Sequence, residues 1–597
     1  MVKTSYSTTW NLDRFFSGGS QSTQFSVHLS KLGNLLDKVE DQVNAFVSTL
    51  SINEVMIINL VETIATIRWY LSEARSFIVC LLAENPTDVH ATVLQGEVSK
   101  EEARFEKGLL QVKIGLANMN EAVWKNISEV EELKEYRFIL NEWRERADTH
   151  VSEEVMSVIS NLSYDGYHAW GHFYQDLIND IRVHITMNGK EECLSIGQAI
   201  NLRSHSDEEV RKQAHYVLEA TWTDKEALFS KIINHITGFR LQVDKKRGMK
   251  SAIEEPLKDN RMKQETLNAM WSVVSKHKQA LSQYLNQKAK IMGDSKMKSY
   301  NFWAPFASSN QVMTYEEAAA FITEHVSQFG DELTNFVRHA FTEGWIEYEN
   351  RPNKSAVPFC AGFPLKEESR VFVTFNGDFL NILALIHELG HAFHNHVMKG
   401  VNGLNKRYPL NIAETASTFA EMIIFDAELK KVNSNEEKLF ILDEKLKRSV
   451  MNFMNMYSRF LFEQSLYRER EKGIVSANRL NQLMRESIDE AYAGALDEPS
   501  EHSWVWTPHY YITQSPFYNF PYTFGYFFAL NLYERAKEGG KDFEKRYVNL
   551  LRDSGSMTVE DLIMKHLGED ITEEKFWEKG MGLCIKDVEE FIKLTAL

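Results

Sequence analysis

Cysteine, proline and glycine are all scarce in this 597-residue chain, and each shortage removes a class of structure. The four cysteines, Cys80, Cys193, Cys360 and Cys584, stand far apart with no paired spacing. That excludes a disulfide framework and a thiolate metal site, and it fits reduced thiols in a cytosolic protein. Eleven prolines and 29 glycines are few for this length. Both residue types interrupt helices, so their rarity favours long unbroken helical segments and a mainly α fold. Long apolar runs are missing too: the longest near the N-terminus, Phe77 to Ala83, falls well short of the about 20 residues that span a bilayer. The polar opening, Met1-Val2-Lys3-Thr4-Ser5-Tyr6, has no signal-peptide pattern, so a cytoplasmic location without a membrane anchor is expected. Basic charge is also in deficit, 67 Lys and Arg against 84 Asp and Glu for a net −17. Such a charge repels phosphate backbones and anionic lipid, which argues against nucleic acid or a membrane surface as partner.

What is present is apolar surface. Hydrophobic residues make up 43% and aromatic residues 12%, enough to offset ordering entropy and to build two domains or one large helical body. Apolar residues recur at helical spacing from 27 to 146, as in Leu29, Leu32, Leu35 and Leu36 and again in Phe138, Leu140 and Trp143, which reads as antiparallel helices. Turn residues follow at Tyr164-Asp165-Gly166-Tyr167. Arg182-Val183-His184-Ile185-Thr186 before Asn188-Gly189 reads as one arm of a hairpin, with a domain boundary near residue 195. Helical periodicity resumes at Glu208 and runs to about Met292, with breaks expected at Gly248 and at Glu255-Pro256. Another helix is expected after Asn301-Phe302-Trp303-Ala304-Pro305. Residues 370–375, Arg-Val-Phe-Val-Thr-Phe, are β-branched and aromatic and predict a strand. Asn376-Gly377-Asp378 then supplies a turn and a helix cap. No repeat or low-complexity tract interrupts this order.

The apolar helix that follows, at about 379–397, carries His387-Glu388-Leu389-Gly390-His391, the pattern HExxH. Four residues advance a helix by about one turn, so both imidazoles project from one face at the separation tetrahedral zinc requires. Glu388, rotated by about 100°, flanks the metal and reaches water beside it rather than the metal itself. Two histidines and a glutamate inside an apolar helix cost free energy unless they are satisfied, which favours a metal over chance. Such a site needs a third protein ligand. A second helix beginning near Asn411 reads Ile412-Ala413-Glu414-Thr415-Ala416-Ser417-Thr418-Phe419-Ala420-Glu421 and places two carboxylates two turns apart on one face. Glu414 is assigned as the ligand and Glu421 as the acceptor for a ligating histidine N–H. His394 shares the face of the other two histidines, but the glycine and further histidine of metzincin spacing are missing, so it is assigned a supporting position beside the ligands.

These residues resemble the thimet oligopeptidase and oligoendopeptidase F family of zinc peptidases, with oligoendopeptidase F as the branch that matches best. The resemblance rests on HELGHAFH at 387–394, ETASTFAE at 414–421, RVFVTFNG at 370–377 and PHYYITQSPFYNFPYTFGYFFAL at 508–530, in family order. Similar stretches at 202–214 (LRSHSDEEVRKQA) and 299–306 (SYNFWAPF) extend it over most of the chain. The resemblance implies a large helical body with a deep substrate channel and a zincin-like catalytic region containing a small β-sheet, divided into an N-terminal helical domain 1–195 and a catalytic domain 196–597. It implies one Zn2+ per chain, short unstructured oligopeptides as substrates, and a histidine and tyrosines facing the metal to stabilise the oxyanion and hold the substrate. His509, Tyr518 and Tyr522 match those positions; Tyr526 matches only with a shift of register, since Gly525 occupies the unshifted place. The implied chemistry is attack of activated water on an internal peptide bond, with Glu388 as general base and then general acid. Strand 370–375 is a candidate to pair by its edge with an extended peptide, or else an interior strand with no free edge. The alternatives are a zinc metallocarboxypeptidase of similar all-α architecture, which trims free carboxyl ends, and a helical scaffold that binds peptides without cleaving them.

Overall fold

Leu32, Leu36, Val39, Val43 and Phe46 fall three and four residues apart, and in the computed structural model they form the buried stripe of the helix Thr23–Ser48. The structure describes residues 6–49, 52–146, 151–187, 189–305, 312–351, 354 and 357–596. The fold is mainly helical with three small sheets among these residues. The chain forms two compact units, each drawn from three stretches: 1–149, 309–427 and 532–568 in the first, and 150–308, 428–531 and 569–597 in the second. Residue 195, where the sequence reading puts a boundary, lies inside the 150–308 stretch.

In the first unit, Thr23–Ser48, Glu54–Glu84 and Val89–Asn118 pack side by side around one core. Short connections between touching helices make neighbours antiparallel. Each start is capped by a side-chain oxygen: Ser22 accepts from the Phe25 N–H, Asn53 from Met56 and Asp88 from Ala91. Glu54–Glu84 is the one helix among the described residues that is long and apolar enough to cross a membrane by composition. The sequence reading finds no such segment because polar residues interrupt the run. Ile57, Leu60, Val61, Ile64 and Ile67 on this helix are buried in the unit's core.

The same unit holds a three-stranded sheet in which Glu368–Phe372 is central, parallel to Ile346–Glu347 and antiparallel to Phe359–Phe363. The backbone N–H groups of Val373 and Phe375 donate to the Glu347 and Tyr348 carbonyls, so the pairing continues past the strand's end. This corrects the idea that the 370–375 strand offers a free edge: both flanks of 368–372 are already paired. Gly377 then turns the chain at φ 86°, where a Cβ would lie 2.4 Å from the Met313 carbonyl oxygen. Asp378 caps the helix Phe379–Val397 by accepting from the Asn381 N–H, and that helix packs across the sheet. It occupies the expected span 379–397.

In the second unit, Arg182–Met187 pairs antiparallel with Lys190–Ser195 as the expected hairpin; Gly189 sits at φ 74°, and Asn188 of the turn lies outside the described residues. Tyr164–His168 is not a turn. It is a π-helical stretch that links Glu153–Ser163 to Ala169–Asp180, so the chain stays helical through Gly166. The long helix Glu208–Lys246 ends before Gly248, ahead of Pro256, which sits in the first turn of a separate short helix, Glu254–Asp259, where its missing N–H costs nothing. After the Asn301–Pro305 stretch the chain resumes as helix Tyr315–Val326 of the first unit; Phe306 of the matched 299–306 stretch lies outside the described residues. Gln264–Ile291 packs along Glu574–Thr595 and Asn435–Val450. At that contact the fully buried Lys288 ammonium lies 2.8 Å from Asp443, whose carboxylate also accepts from Tyr284 Oη at 2.6 Å and pairs with Lys447 at 2.9 Å. A buried cation survives when its partners are satisfied in this way.

Candidate active site

The two histidines of the motif leave the helix Phe379–Val397 one turn apart, with ring centroids 4.9 Å from each other. Glu414 joins them from the junction between the short helix Leu410–Ala413 and the helix Thr415–Lys431. Its Oε2 lies 3.3 Å from His387 Nε2 and 3.6 Å from His391 Nε2. One donor atom from each of the three residues falls within 4.8 Å of the others, the grouping among the described residues that suits a metal ion. A tetrahedron built on bonds of about 2.1 Å has edges of about 3.4 Å, so the two measured spacings and the N, N, O donor set fit a zinc site.

The remaining ring nitrogens are committed to the protein. His387 Nδ1 is 2.6 Å from Glu421 Oε1, the contact that fixes the ring and leaves Nε2 toward Glu414. His391 hydrogen-bonds to the backbone of Ala413, a partner no side-chain pattern announces. Ser417 Oγ donates to Glu414 Oε2 at 3.2 Å and steadies that carboxylate. Burial by itself lowers the His387 value, yet hydrogen bonds to Glu414 and Glu421 and their charges lift it to about 10, whereas burial and the neighbouring His387 push His391 down to about 4. Two carboxylates closing on one imidazole make a field that calls for a cation.

Glu388 is buried beside this cluster and is not among the three donors. Burial, reinforced by the Glu414 and Glu421 charges, pushes its carboxyl up to about 7. A group with that proton affinity both takes and gives a proton near neutrality. His394 departs from expectation. Three residues beyond His391 it sits about 4.5 Å further along the helix axis. There its Nε2 meets Ser554 Oγ at 3.0 Å and the Leu551 carbonyl at 3.2 Å, and its ring stacks on Tyr408 at 4.0 Å. It fastens the motif helix to the end of Lys541–Asp553 and stands apart from the metal donors.

Gly390 sets the distance between the motif helix and Thr415–Lys431. A Cβ there would lie 2.6 Å from Ser417 Cα and 2.7 Å from the Ala416 carbonyl oxygen, both backbone atoms. Alanine gains about 1 kcal/mol in helix preference over glycine. Overpacking a rigid contact costs about 1–3 kcal/mol or more, so the clash wins. Gly390→Ala is expected to lower the thermal midpoint and weaken metal binding together, because the displaced helix follows directly on Glu414 and carries Glu421; differential scanning calorimetry with a competitive zinc titration reads both.

The other residues singled out by resemblance belong to the second unit and gather there. The His509 ring lies 5.0 Å from Tyr518 and 5.9 Å from Tyr522, and the two tyrosines are 5.8 Å apart. All three are half-buried, while Tyr510, Tyr511 and Tyr526 around them are buried. His509 Nδ1 is 2.7 Å from Asn519 Oδ1 and 3.2 Å from Arg459 Nη1. Burial and the Arg459 charge push this ring down to about 4, so it is neutral at physiological pH. Asn519 and Arg459 were missed in the sequence; only Asn519, next to Tyr518, carries a local signal. Tyr526 is a core residue, its hydroxyl 2.9 Å from Ser449 Oγ and its ring 5.2 Å from Phe453.

Phe517, just before this cluster, takes a left-handed backbone at φ 53°, costly for a bulky residue. Its N–H donates to Glu463 Oε1 at 2.8 Å, and Glu463 Oε2 has no hydrogen-bond partner among the described residues. Burial pushes the Glu463 carboxyl from 4.5 up to about 7. A raised folded value favours the protonated form, so this stability is complete below about pH 4.5 and is lost as pH climbs through about 7. Glu463→Gln keeps the acceptor and cannot ionise. Its stability should hold steady from pH 5 to 8 where the unaltered protein loses up to about 3 kcal/mol, a difference visible in urea midpoints at the two pH values.

A family profile described as peptidase family M3 matches residues 201–583, and one described as oligopeptidase F matches 116–182. The chain belongs to peptidase family M3. It is 26% identical over 417 residues to the group B oligopeptidase PepB of Streptococcus agalactiae, covering 68% of each chain. It is likewise 26% identical over 418 residues to the chromosomal oligoendopeptidase F of Lactococcus lactis, covering 68% of this chain and 67% of that one. The fold matches oligoendopeptidase-F from Enterococcus faecium with a TM-score of 0.72 at 18% identity, over 96% and 98% of the two chains. Membership of this family makes the protein a metalloendopeptidase, with oligoendopeptidase F proteins among its relatives. The carboxypeptidase alternative has distant support in the fold, a Trypanosoma cruzi metallocarboxypeptidase at TM-score 0.52 and 13% identity.

Proposed function

We propose that this peptidase uses one zinc ion per chain, held by His387, His391 and Glu414, to cut internal bonds of short unstructured oligopeptides in the cytoplasm. The observation that carries the reading is the spacing of 3.3 and 3.6 Å from Glu414 Oε2 to the two imidazole nitrogens. Bound zinc polarises a peptide carbonyl and lowers the pKa of water. Glu388 takes the proton from the attacking water and hands it to the leaving nitrogen, so one carboxylate serves as base and then acid. Glu421 holds His387 Nδ1 and keeps Nε2 directed at the donor cluster. Tyr518 and Tyr522 donate to the developing oxyanion and His509 holds the substrate backbone, the donor role being worth about 3 kcal/mol for a single well-placed group. With Nδ1 donating to Asn519 Oδ1, the neutral His509 ring offers Nε2 as an acceptor for a substrate N–H.

The test is an oligopeptide acetylated at one end and amidated at the other, with every product mapped by mass spectrometry. Internal cleavage is expected, abolished by a chelator and restored by zinc. An untouched blocked peptide, with single residues trimmed only from its free-acid form, would overturn the endopeptidase reading in favour of the carboxypeptidase.

A further inference from the structure

The second unit contains a cavity of about 390 Å³ whose wall carries two guanidiniums and no carboxylate. Arg203, Arg459, His215, Trp303, Tyr492 and Trp506 line it, with five serines and several aliphatic side chains. Its volume and largely apolar wall suit a small organic molecule held by a few polar groups. The Arg203 guanidinium lies 4.7 Å from the centre of the Trp506 ring. Arg459 Nη1 faces His509 Nδ1 and Asn519 Oδ1 at 3.2 and 3.4 Å, both neutral groups. Among the described residues neither arginine forms an ion pair. Glu219, the carboxylate whose charge reaches Arg203, is taken by His502 Nδ1 at 2.8 Å. Both guanidiniums are half-buried, and that burial pulls their proton affinity down. A chain with 84 acidic residues has placed none of them on this wall. Charge of one sign is concentrated there against a net charge of −17, and it is short of an anion.

We propose that this cavity is a binding site for a carboxylate carried on an apolar or aromatic body, the guanidinium forks taking the carboxylate and Trp303, Tyr492 and Trp506 the body. Two sources share that chemistry, the C-terminal residue of an oligopeptide and a free aromatic acid. The proposal concerns binding and stands apart from the hydrolysis assigned to the metal site.

N-acetyl-L-phenylalanine, its amide and 3-phenylpropanoate are titrated into the zinc-loaded protein by calorimetry. The acid should bind at least about tenfold more tightly than the amide, since only the acid supplies the charge. Arg203→Gln should remove that preference, and Arg203→Lys, which keeps the charge, should restore part of it. Tighter binding of N-acetyl-L-phenylalanine than of 3-phenylpropanoate identifies a peptide end as the natural occupant, and equal binding a free acid; both support the site. Equal affinity for acid and amide would overturn it, and that comparison needs no variant. So would acid binding that Arg203→Gln leaves untouched, as for an acid held at the metal, or inorganic phosphate binding as tightly as the acid.

Discussion

Glu388→Gln is expected to leave the protein folded and metal-loaded while lowering kcat/KM by roughly 10²–10⁴-fold, about 3–5 kcal/mol of transition-state stabilisation. The substitution keeps the side chain's shape and removes only its ability to carry a proton. Glu388 is not one of the three donor residues, so metal content should be unchanged. Burial disfavours its charged form, and a neutral amide in that place costs the fold less in desolvation than the carboxylate. Steady-state kinetics on an internally quenched peptide, with elemental analysis of the same sample, separates the two effects. Near-normal turnover in the purified variant would take Glu388 out of the reaction.

His391→Ala should fail differently, by losing the metal. Three protein donors are the usual complement of a catalytic zinc, and with one gone the remaining pair, His387 Nε2 and Glu414 Oε2, is left as a two-point site. Structural zinc binding contributes about 10–16 kcal/mol, and a third of the ligand set is a large part of any such total. The variant is expected to hold far less than one zinc per chain after dialysis and to be inactive until high zinc is added. Stoichiometric metal in dialysed His391→Ala would count against the ligand assignment. The two variants together distinguish loss of the proton carrier from loss of the metal.

Much of this was legible in the sequence because it is local. The span 379–397 was readable from an apolar run closed by Asp378 at one end, and the helix lies there. The hairpin was readable from alternating residues before Gly189. The failures are equally specific. Tyr164–Tyr167 has turn composition but continues as helix, because a π-helical stretch absorbs Gly166 without breaking the chain. Pro256 looked like a helix end and is a helix start. The strand at 368–372 was readable, but its central place in the sheet was not, since strand order depends on Ile346–Glu347 and Phe359–Phe363. The aromatic segment 508–530 could not be sorted by composition: Tyr510, Tyr511 and Tyr526 are packed inside, and Tyr518 and Tyr522 reach a surface.

The chemistry of the motif needs only the helix. Two imidazoles one turn apart, with a carboxylate offset by about 100°, follow from 3.6 residues per turn whatever surrounds them. Which groups answer those imidazoles is a matter of packing. His394 has the same local credentials as His391 and goes to Ser554 and Leu551, because that turn of the helix meets Lys541–Asp553. Glu414 and Glu421 reach His387 because Gly390 lets the backbone of 416–417 come within a side chain's thickness. Helical periodicity is a property of neighbouring residues, whereas a ligand set closed by segments tens of residues apart exists only once their side chains have excluded water and settled into contact.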